Sequence, residues 1–120
     1  MLVLSSLLFQ IPAAYAYHRG LYPWAAVSFL TSAFSVNYWR HATPSWRKVA
    51  DVCWARGAGT AFFVLGMHRT RLWSVSGLLV ILACYRQSGI EHERNGPWRV
   101  YHAAFHLFAA LGQLAAIHLI

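Results

Sequence analysis

Five apolar stretches alternate with short polar breaks along the 120-residue chain: Leu2–Tyr17, Leu21–Tyr38, Val49–Met67, Leu72–Tyr85 and Val100–Ile120. A helix that crosses a bilayer needs roughly 20 predominantly apolar residues. The fifth stretch meets that length, the second and third approach it, and the first is short and holds Pro12. The fourth, LWSVSGLLVILACY, is the shortest, as a re-entrant segment or a helix borrowing its flanks would be. The pattern predicts an all-α fold: a polytopic transmembrane helical bundle of about five helices, the fourth short, in a single domain over residues 1–120.

The breaks carry helix punctuation. In HATPSWRK, Thr43 is placed to cap a helix that Pro44 opens; in NGPWR, Asn95–Gly96 forms the turn and Pro97 opens the last helix. Trp24, Trp39, Trp46, Trp73 and Trp98 lie near segment ends, as an aromatic belt requires. AAYAY offers a site for signal cleavage, but Met1–Gln10 lacks the positive charge a signal peptide carries, so a retained first helix is expected.

Composition agrees with the pattern. The chain is 58% hydrophobic and 11% charged, against about 25% charged in soluble domains. Its ten Lys and Arg against three Asp and Glu give a net charge of +7. The basic residues fall between apolar runs and not along one helix face, which argues against nucleic-acid binding and for a membrane. With five spans, Arg40, Arg47, Lys48, Arg86, Arg94 and Arg99 share the side of the N-terminus, and Arg19, Arg69 and Arg71 take the other. The positive-inside bias then makes the N-terminus of this multi-pass protein cytoplasmic. Cys53 and Cys84 both sit in apolar runs and are expected as reduced, buried thiols.

Polar residues inside apolar stretches narrow the chemistry. His102 and His106 stand four apart at the start of the last helix, on one face, and Gln113 continues their stripe. Ser28, Ser32 and Ser35 form a second stripe, Asp51 lies about one turn into the third helix, and His41 is in the loop before it. Ser35, His41, Asp51, His102 and His106 thus map to one leaflet, which suggests a polar pocket closed by the second, third and fifth helices. Structural roles compete: Asp51 pairing with Arg47 or Arg56, the serines easing helix packing, His41 as an interfacial loop residue, and the His pair at the water boundary. Arg56, deep in CWARGAGTAFF, needs a partner or a path to water. His18, His68, His92 and His118 read as ordinary.

Neutral imidazole suits zinc, and a catalytic zinc keeps three protein ligands and a water. His102, His106 and His41 could supply the three. The activated water would attack an amide or ester carbonyl, with Asp51 moving the proton and Ser35 donating to the developing oxyanion.

Ser35 ahead of Asp51 at the next helix start, followed by YHAAFH opening the last helix, resembles the superfamily of alkaline ceramidases, Per1-like proteins and progestin/adiponectin receptors. HATPS, beginning at His41, is also similar to the ceramidase stretch at its first zinc histidine. The resemblance covers about 35 residues in two blocks. It implies His41, His102 and His106 as zinc ligands with Ser35 and Asp51 around the metal-bound water. It also implies seven helices where this pattern gives five, and a serine four residues before the first histidine where Ser35 stands six before His41. The expected function is a ceramidase-like, zinc-dependent integral membrane hydrolase of lipid amide or ester bonds. The alternatives are a small non-catalytic subunit or scaffold with membrane-protein partners, and a haem protein using His102 or His106 as an axial ligand.

Overall fold

The computed structural model describes residues 2–40 and 46–118, without the side chain of Arg69. The described residues are helical apart from short connections. Helix α1 (Leu2–Ser6) passes through one 3-10 turn (Leu7–Phe9) into α2 (Gln10–His18), so the first stretch is a nearly continuous rod. Pro12 accounts for the tightened turn. It has no N–H to offer the carbonyl of Leu8, and its ring crowds that carbonyl; the Gln10 N–H bonds instead to Leu7, three residues back. The other helices are α3 (Tyr22–Trp39), α4 (Trp46–Arg69), α5 (Arg71–Glu93) and α6 (Trp98–His118).

Backbone chemistry sets the turns. After α2, Gly20 takes φ 72°, the Leu21 N–H reaches Ala16 O at 2.9 Å and the Gly20 N–H reaches Tyr17 O at 3.0 Å. After α5, Asn95 takes φ 54°, the Gly96 N–H reaches Glu91 O at 2.7 Å and the Asn95 N–H reaches His92 O at 3.3 Å. Both are Schellman caps, with the left-handed residue just past the last helical turn. Between α4 and α5 only Thr70 is extended, and Gly66 leaves room where a Cβ would meet the Ser74 hydroxyl.

The fourth helix corrects the sequence expectation: it is not short, but runs 23 residues from Arg71 to Glu93. Hydropathy ends at Tyr85, whereas the backbone ladder continues through YRQSGIEHE, which holds no proline and closes with a Gln87–Glu91 side-chain bond of 2.9 Å. The connection to α6 accordingly shrinks to residues 94–97, and Arg86 lies on a helix, not in a loop. The Thr43–Pro44 cap lies outside the described residues. Cys53 also departs from expectation: it is free but exposed, because its position on α4 turns outward.

The interior is built from small and polar side chains. Ser6, Ser28, Ser32 and Ser35 are buried together with Ala16, Ala25, Ala58 and Ala116, while Leu72 and Trp73 are 75% and 76% exposed and Phe29, Leu79 and Leu111 are exposed as well. Small residues let helix axes approach closely. Ser28 donates to Gln113 Oε1 at 2.8 Å, tying α3 to α6. The first rod lies parallel to α6 and is fastened to it near both ends. Ser5 meets His106 at one end; at the other, Tyr15 OH meets His118 Nδ1 at 2.7 Å and Arg19 donates to Ile117 O at 2.7 Å. Among the described residues one helix, Trp98–His118, is long and apolar enough to cross a membrane.

Candidate functional site at the start of the last helix

The 3.6-residue period of α6 stacks His102 and His106, with ring centroids 4.8 Å apart and planes at 81°. His106 is buried and His102 half-buried. Around them stand Trp39 from the end of α3, 4.8 Å from the His102 ring, Tyr85 from α5 at 6.2 Å, and Phe105 from α6 at 5.4 Å. Phe9, from the first rod, meets His106 edge-on at 5.7 Å.

Each histidine is held through Nδ1 by a serine. Ser5 Oγ lies 2.8 Å from His106 Nδ1 and Ser88 Oγ lies 3.3 Å from His102 Nδ1. A hydroxyl has one proton. Ser5 directs it at Leu2 O, 3.0 Å away, and Ser88 at Trp98 O, 3.2 Å away. With both serine protons on those carbonyls each serine oxygen accepts, and in that tautomer both imidazoles donate from Nδ1–H and keep a lone pair on Nε2. A second branch starts at the same carbonyl: Ser6 Oγ donates to Leu2 O at 2.7 Å and accepts from Ser35 Oγ at 2.7 Å.

The residues singled out from sequence are thus distributed unevenly. His102 and His106 come together. Ser35 is buried at the same end but bonds Ser6, and it reaches the histidines only through the Leu2 carbonyl and Ser5. Asp51, half-buried near the start of α4, lies close enough to Tyr38 of α3 for its charge to act on that hydroxyl, and among the described residues it has no ion pair with Arg56. Arg56 is exposed on α4. His41 lies outside the described residues. Among the described residues no three His, Cys, Asp or Glu side chains are grouped so as to hold a metal ion.

The described hydrogen bonds to the pair come from α1 and α5, and none from the third segment that the sequence placed there. Sequence reasoning missed Ser5, Ser6, Ser88 and Trp39. A signal was present in part: SS interrupts an otherwise apolar MLVLSSLLF. Trp39 Nε1 is buried with no described partner, leaving an indole donor beside His102. No family model, curated protein or solved structure matches the chain.

Proposed function

We propose that the protein is a multi-pass membrane bundle, N-terminus on the cytoplasmic side, whose His102–His106 pair binds zinc and serves hydrolysis of a lipid amide or ester. The observation that carries this reading is the stacking of two imidazoles 4.8 Å apart, each with Nδ1 engaged by a serine, which leaves Nε2 as the ring nitrogen without a described partner. Metal-bound histidines are ordinarily fixed in this way, by an acceptor on the other ring nitrogen. Membrane embedding draws support from the inverted distribution of side chains. Serines fill the centre while Leu72, Trp73, Leu79 and Leu111 face outward, a surface that suits acyl chains better than water.

In this reading His102 and His106 hold the ion, with His41 as third ligand. The metal supplies Lewis-acid polarisation of a carbonyl. Trp39, Phe105 and Phe9 exclude water from one side of the pair. Trp39 Nε1–H is a donor for a bound polar group. Asp51, close to Tyr38 near the start of α4, is the candidate proton carrier. Ser35, bonded to Ser6, braces the seam and is a weaker candidate for the oxyanion role.

The competing reading, a non-catalytic subunit or scaffold, is favoured by one observation: Ser28 and Ser35 spend their hydroxyls on helix-to-helix bonds. Metal analysis of the purified protein separates the two. The hydrolase reading expects about one zinc per chain, lost in His102→Ala and in His106→Ala, kept in Asp51→Asn, and accompanied by cleavage of a fluorescent ceramide or ester lipid. Substoichiometric metal in the wild-type protein sinks it, and metal-free protein recovered in a larger complex supports the scaffold.

A further inference from the structure

The serine seam of α3 contains one hydroxyl that the fold leaves without a partner. Ser28 bonds Gln113 and Ser35 bonds Ser6, and the neighbouring Thr31 folds back on Val27 O at 2.8 Å. Ser32 does none of these: its Oγ is buried and unpartnered, with the residue 1% exposed. A buried polar group without a hydrogen bond costs about 1–3 kcal/mol, so such a group calls for a ligand.

Ser32 lines an open cavity of about 290 Å³ between the first rod and α3. Its walls are mostly apolar, with Leu7 from the 3-10 turn on one side and Phe29, Ala33 and Val36 from α3 on the other, and Gln10 of the first rod adds a polar group. Asn37 and Arg40 line it toward the end of α3. The Arg40 Nε and one terminal nitrogen donate to Asn37 Oδ1 at 3.1 and 2.9 Å. That fork fixes the guanidinium over the Asn37 turn and leaves its other terminal nitrogen directed to no described residue. Arg40 starts eight residues, about 12 Å, along the helix from Ser32, but its guanidinium folds back onto Asn37, about 7–8 Å from Ser32 along the axis. This is the order of the distance from the phosphate to the first acyl carbonyl of a glycerophospholipid.

We infer that this groove is a site for one anionic glycerophospholipid, with its phosphate on Arg40, its first ester carbonyl accepting from the Ser32 hydroxyl and an acyl chain along Leu7, Phe29 and Ala33. Charge favours the anionic class: Arg40, Arg47 and Lys48 lie at the same end of the molecule, in a chain of net charge +7. The apolar walls favour a lipid over a free phosphate, which would meet one exposed arginine and gain little there. The inference rests on the membrane-embedded half of the functional reading and is independent of the histidine pair.

Native mass spectrometry of the full chain in non-ionic detergent tests it, with dioleoyl-phosphatidylglycerol, dioleoyl-phosphatidylcholine and inorganic phosphate as probes. The expected result is one retained phosphatidylglycerol per chain, preferred about tenfold over phosphatidylcholine, because the two lipids share the phosphate and only the choline cation is repelled by the basic end that Arg40 helps to form. Arg40→Gln should erase that preference while leaving weaker binding of both lipids. Ser32→Ala should weaken both alike, and Ala33→Phe, which fills the groove, should abolish both. Arg40 is exposed and its replacement leaves the packing intact, so that arm reads out even if Ala33→Phe fails to fold. Unchanged headgroup preference in Arg40→Gln, retained lipid in a folded Ala33→Phe, or displacement of the lipid by inorganic phosphate each overturns the proposal. Absence of any lipid adduct in the wild type overturns the proposal, whereas recovery of the chain outside the membrane fraction is the separate result that removes membrane embedding. A zinc-free protein that still selects phosphatidylglycerol leaves this site standing and removes only the metal reading.

Discussion

Ser5 decides which nitrogen of His106 carries the proton. With its own proton on Leu2 O, its oxygen accepts and the imidazole donates from Nδ1, the tautomer that leaves Nε2 free. Ser5→Ala removes that acceptor from a buried site. The expected cost is about 1–3 kcal/mol for the orphaned N–H, and zinc affinity should fall about 10–100-fold, as when outer partners of metal-bound histidines are removed. Ser5→Thr keeps the hydroxyl and should restore the affinity. Equilibrium zinc titration and thermal melting in detergent read both effects; equal affinities for the alanine and wild-type proteins would remove Ser5 from the site. The histidine pair was legible in the sequence because a four-residue spacing on a helix is a local fact. Ser5 was not, because 101 residues separate it from its partner and only the packed bundle joins them. Asp51 shows the converse: a shared depth along the helices placed it near the pair, but depth leaves the rotation of α4 undetermined.

At the scale of elements, hydropathy located the helices through their apolar lengths, and four of the five segments end within about three residues of the observed bounds. It failed on α5 because the last two turns of that helix are polar, and helix formation requires backbone pairing and compatible side chains, not apolarity. The turns follow a different logic. Gly20 at φ 72° occupies backbone space that a Cβ disfavours, although no atom lies within 4 Å of the position a Cβ would take. Gly20→Ala should therefore destabilise by about 1 kcal/mol through conformation alone. Asn95→Gly at the equivalent cap should be neutral or slightly stabilising, since glycine suits the left-handed region better. Melting temperatures of the two variants in the same detergent check the pair; an unperturbed Gly20→Ala would mean that the α2–α3 cap adds nothing to stability.

For the molecule as a whole, the exposed flank of α4 offers a direct test of what surrounds the bundle. Cys53 is exposed and lies about 10 Å along α4 from its start. In intact membranes it should react with a lipid-soluble maleimide and resist a charged, membrane-impermeant one, and solubilisation should abolish the difference. Rapid labelling by the charged reagent in sealed membranes would place that face in water.

The parallel first and last helices carry a consequence for how the chain is made. Their side-chain bonds join residues 98 to 103 positions apart, and the α3–α6 bond spans 85. Such contacts close late, after the entropy of a long loop has been met. In the membrane-embedded reading proposed above, Ser5 and Ser28 would reach the bilayer before the partners that satisfy them exist. During synthesis, α1 and α3 would then need shelter, or contact with water, until α6 arrives and supplies His106 and Gln113 to their serines.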